Sequence, residues 1–108
     1  MSKFDEFVDA FLEGVKVLAK DVFDGYEDVA VDDAKEFLEK SKEDMQRWTK
    51  LLALGALTEQ DFSDLVQAKK ALAEIHLLRQ KGVALTKLER FRSGLINLVV
   101  DTAFDVFL

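Results

Sequence analysis

The chain has 108 residues, no cysteine, no proline and a formal net charge of −6. That length is one domain, able to bury roughly two thirds of its unfolded surface. The missing cysteines exclude a disulfide framework and a thiolate nucleophile. The acidic balance opposes general affinity for nucleic acid, which needs cations in excess on one surface.

Residues 2–24 read as the first helix. Phe4, Val8, Phe11, Val15, Leu18 and Val22 recur three and four apart, which puts them on one face. Phe7, Leu12 and Phe23 widen that face. Ser2 suits the N-cap, and Asp5 and Glu6 suit the positive end of the helix dipole. This acidic opening lacks the basic start and apolar run of a secretory signal, so the sequence reads as cytoplasmic. Gly25 is expected to cap the helix in the left-handed conformation.

An acidic connection is expected over 25–32. The acids between 21 and 36 do not form a calcium loop. With Gly25 at the sixth position, Lys20, Val22 and Val31 fall where an EF-hand needs ligands. They read as caps and solubilising charge. The second helix is expected over 32–54, with Asp33 and Glu36 as a capping box. Ala34, Leu38, Ser41, Met45, Trp48 and Leu52 mark its buried face, and Gly55 ends it.

The third helix is expected over 59–81. Thr58 is its N-cap, Leu57 and Phe62 form a hydrophobic staple, and Gly82 follows its end with a Leu78–Val83 contact. Ala68, Ala71, Ile75 and Leu78 fall outside the arc of Phe62, Leu65, Val66 and Leu72. His76 is the only histidine. Glu74-Ile75-His76 is one residue short of the Glu-x-x-His spacing of helical di-iron sites, so His76 reads as the edge of a packed face and no metal is expected.

The fourth helix is expected over 87–108, opened by Thr86 and Glu89. From Leu95 onward its apolar residues cover roughly 240° of the wheel, leaving a strip of Asn97, Asp101 and Asp105. It is too short and too charged to span a bilayer. Gly14 and Gly94 lie inside helices, as marks of a close crossing or as tolerated residues.

Short turns at 55–58 and 82–86 predict an all-α, single-domain, antiparallel four-helix bundle over 1–108. Surplus apolar surface at a chain end predicts a second interface. The expected one is a homodimer through Ile75, Leu78, Leu95, Val99, Phe104 and Phe107. Charge is also sorted by sign: residues 1–36 carry a net −7 and residues 47–92 a net +4. Arg79, Lys81, Lys87, Arg90 and Arg92 gather around the second hairpin without exposed aromatics or a short reading helix. An anionic protein partner therefore fits at least as well as nucleic acid, and no nucleic acid is expected. No nucleophile, metal set or acid–base pair stands out, and no cofactor is implied. The sequence predicts a non-enzymatic association protein, with a self-partner and a further protein partner. The alternative is a bundle holding an apolar ligand between helices, a use for its nine phenylalanines.

Overall fold

Ser2 and Thr58 cap as their positions dictate. In the computed structural model, which describes residues 2–108, the Ser2 hydroxyl accepts the Asp5 N–H at 3.2 Å and that of Thr58 accepts the Asp61 N–H at 3.0 Å. Each hydroxyl satisfies a donor that the first helical turn leaves free. The helices are α1 (Lys3–Phe23), α2 (Glu27–Ala53), α3 (Glu59–Gln67), α4 (His76–Gln80) and α5 (Leu85–Phe107), with a 3-10 turn at Lys70–Leu72. No strand occurs among the described residues.

α1 packs against both α2 and α5. Phe7 meets Phe107 at one end and Phe23 meets Phe91 at the other, so α1 and α5 run in opposite directions. Their crossing is close. A Cβ on Gly14 would come within 2.8 Å of Leu98, and one on Gly94 within 2.9 Å of Leu18. The two glycines are thus sockets for two leucines, each on the opposite helix.

α2 begins at Glu27, not near residue 32. Ala30 and Ala34 are fully buried and extend the apolar stripe backward, and nothing between 27 and 32 breaks a helix. The connection shrinks to Asp24, Gly25 and Tyr26, all with positive φ; Asp24 and Tyr26, not Gly25, take the left-handed helical conformation. Asp33 is therefore not a cap of its own helix. Trp48 is buried, and Ser41 and Thr49 return their hydroxyls to the Phe37 and Met45 carbonyls, at 2.8 and 2.7 Å. At the far end Gly55 takes φ 76, and the Ala56 N–H reaches the Leu51 carbonyl at 2.9 Å while Gly55 N–H reaches Leu52, a Schellman closure.

The expected continuous helix over 59–81 is broken. At about 100° per residue, an unbroken helix that buried Phe62 and Val66 would turn Ile75 and Leu78 roughly 120–220° away from them and bring Lys69 and His76 inward. Instead the chain leaves α3, passes through the 3-10 turn, and places Ile75 in the left-handed region at φ 48. This rotates the phase and buries Ala73, Ile75 and Leu78 while His76 stays exposed. For a β-branched residue that backbone costs about 1–2 kcal/mol. Burying its side chain returns about 1.5–3 kcal/mol, so burial wins. The kink is also tied down: Arg92 Nε donates to the Ala73 carbonyl at 2.8 Å, and Lys70 Nζ to Ser93 Oγ at 3.0 Å.

Asp33 explains where α4 begins. It is 3% exposed, and its two oxygens accept the N–H groups of Leu77 and Leu78 at 3.0 and 2.9 Å. A carboxylate on α2 thus caps a helix 44 residues downstream. α5 starts at Leu85, and no side chain caps it, so the expected Thr86–Glu89 box is absent.

Candidate functional site

Four of the six residues expected at an interface lie inside the chain's own core. Ile75, Leu78, Leu95 and Val99 are each no more than 2% exposed. Ile75 and Leu78 pack inward because the chain breaks before them; Leu95 and Val99 lie on the face of α5 that its neighbours cover. Phe104 and Phe107 are half-buried, against Phe62 and Phe7, with ring centroids 6.0 Å apart in each pair. The wide apolar arc of α5 is therefore largely absorbed by α1 and α3.

The uncovered apolar surface sits elsewhere. α1 carries more apolar positions than its neighbours cover, so Phe4, Val8 and Leu12 are only half-buried. With Leu38 of α2 they floor an open groove of about 530 Å³, rimmed by Lys35, Glu39 and Lys42. Their three-four spacing put them on the dry face, but spacing alone does not say which edge of that face a neighbour leaves open. Val17, Leu54 and Leu108 stand out singly, each more than 60% exposed.

The second feature is electrostatic. The α1–α2 and α4–α5 connections lie at one end of the molecule, as the Phe23–Phe91 pair and the Asp33 cap of α4 require. Asp21, Asp24, Glu27 and Asp28 surround the first connection. Arg79, Lys81, Lys87 and Arg90 surround the second. Asp21 and Arg90 line opposite walls of one surface groove between α1 and α5. Among the described residues, none of these eight charges has an ion-pair partner.

Paired charge gathers instead along α2. Lys40 Nζ lies 3.2 Å from Glu36 and 3.4 Å from Glu74, and His76 Nε2 lies beside Glu74. The hydrogen bond to Glu36, with the charge of Glu74 beside it, raises the Lys40 ammonium above the ordinary lysine range. The Lys40 charge lowers the Glu74 carboxyl, and the Lys69 hydrogen bond lowers Asp44. Lys69 also lies over the Trp48 ring, 5.7 Å from its centroid. These pairs stitch the 69–76 segment onto α2. Among the described residues, no group of three or more histidine, cysteine or acidic side chains is arranged to hold a metal ion. No helix there is long and apolar enough to cross a membrane. Compared with protein-family models, with curated proteins and with solved structures, the chain matches none.

Proposed function

We propose that this chain works by association: a non-enzymatic helical protein that binds a second copy of itself and, through its uncovered apolar surface, a protein partner. We read its architecture as four antiparallel layers, α1, α2, the broken α3–α4 segment and α5, and its setting as cytoplasmic. The observation that supports association is the half-covered apolar wall of α1, Phe4, Val8 and Leu12, edged by charge. Such a wall gains about 25 cal/mol for every Å² that a partner removes from water, and the charges beside it set orientation. Light scattering across a dilution series tests the self-partner. The expected mass rises from one chain toward two as concentration increases; a mass that stays at one chain into the high micromolar range overturns it.

A second reading is a bound apolar ligand in the same groove. Its volume falls in the range of small-molecule sites, and Lys35 and Lys42 at the rim offer a carboxylate two cations. A long-chain fatty acid should then raise the melting temperature, and Val8→Asp should abolish that rise. No shift with fatty acid defeats this reading.

A further inference from the structure

We infer that the end of the molecule bearing the α1–α2 and α4–α5 connections is a self-complementary docking surface for a second copy of this chain. The inference rests on the association reading and names where the second copy binds. Three observations carry it. The first is sorting by sign. Asp21, Asp24, Glu27 and Asp28 hold one half of the end, and Arg79, Lys81, Lys87 and Arg90 hold the other, with Lys20 and Glu89 as the minority charge of each half. The second is that none of these eight charges is paired within the chain, although six pairs of lysine or arginine with acid form among its other residues. The third is apolar. Of the six large hydrophobic residues that stand exposed, Tyr26, Leu77 and Leu85 lie at this end.

A twofold axis lying in the plane of the end, along the boundary between the halves, turns one copy over onto the other. Each acidic half then faces the partner's basic half, twice by symmetry, as an isologous contact requires. Tyr26, Leu77 and Leu85 meet between them. Parallel end-to-end stacking without this rotation does not pair the charges. The molecule measures 42 × 27 × 21 Å, so the end spans the two shorter dimensions. An end-to-end dimer would bury on the order of 1,100 Å² in total, at the low end for specific association. The contact is therefore weak, reversible and strongly dependent on ionic strength, since the screening length falls from about 10 Å at 0.1 M salt to about 3 Å at 1 M.

Sedimentation equilibrium on the full chain tests this with two charge-reversed variants, Lys87→Glu with Arg90→Glu and Asp24→Lys with Asp28→Lys. Circular dichroism checks that each remains helical. The unaltered chain should dimerise at about 0.1 M salt and weaken at least tenfold at about 1 M. Each variant alone should lose dimerisation by a similar factor, because like charges then face each other. Mixing the two variants should restore it, since each supplies what the other lacks. A dimer indifferent to salt and to both reversals overturns this surface and leaves the association reading standing. A chain that stays single in every condition overturns both. Loss in each variant without recovery on mixing also overturns the twofold pairing.

Discussion

Asp33 and Ile75 are the two residues whose roles run against their types. An aspartate at 3% exposure is costly unless its oxygens are used, and both are used by the Leu77 and Leu78 N–H groups. Asp33→Ala should cost about 2–3 kcal/mol in urea unfolding, since it strands one buried and one part-buried donor. Asp33→Asn keeps one acceptor and should cost less. Amide exchange at Leu77 and Leu78 should accelerate in both variants before exchange in α1 does; unchanged protection there would refute the capping role. Trp48 belongs to the simpler class of core residue. Trp48→Ala should cost about 3–5 kcal/mol, and a loss below about 1 kcal/mol would show its face to be misassigned. Glu74 supplies a third prediction. Its carboxyl is lowered by the Lys40 charge, so the pair contributes stability above the ordinary carboxylate value, about 4.3, and loses it as pH falls through the lower folded value. Lys40 is raised, so its share is present below the ordinary lysine value and is lost as pH climbs through the raised one. Lys40→Met should return the Glu74 titration, followed by carboxyl NMR, toward its ordinary position. The effect on stability should be small, because both groups are solvated.

At the scale of elements, α1 and most of α2 were legible because a three-four apolar repeat and a serine cap are local signals. The start of α2 is less legible, because acidic residues read as a loop although Ala30 and Ala34 continue the stripe. The break after α3 was also written in the sequence. Ile75 and Leu78 fall off the arc of Phe62 and Val66, and on a straight helix that offset reads as a second apolar face. A phase shift and a second face leave the same trace on a helical wheel. Only the partner across space, here the Asp33 carboxylate, tells them apart. The glycines of α1 and α5 lead to the fourth prediction. Gly→Ala inside a helix ordinarily gains up to about 1 kcal/mol. Gly14→Ala should gain less than that, because the new methyl forces the Leu98 side chain to shift. In a Leu98→Ala background the same change should stabilise. A thermal-unfolding cycle showing additive effects would refute the socket.

For the whole molecule, the helical class was plain in the sequence and the candidate surface was not. Spacing ranks residues as apolar or polar, but it cannot say which neighbour will cover an apolar one. Leu95 and Val99 show the cost of that gap: they looked surplus on α5 and are wholly buried. The sorting of charge was legible, because the sum over residues 1–36 and over 47–92 needs no fold. That the two groups meet at one end required the structure. The reciprocal sockets at the α1–α5 crossing have a mechanical meaning. Sliding one helix along the other by a turn, about 5.4 Å, would set Leu18 against Arg90 or Leu98 in place of Gly94. The pair therefore behaves as a toothed joint with one seated position. Sliding is thus opposed at two places at once, so shape as well as burial sets the register of α1 on α5.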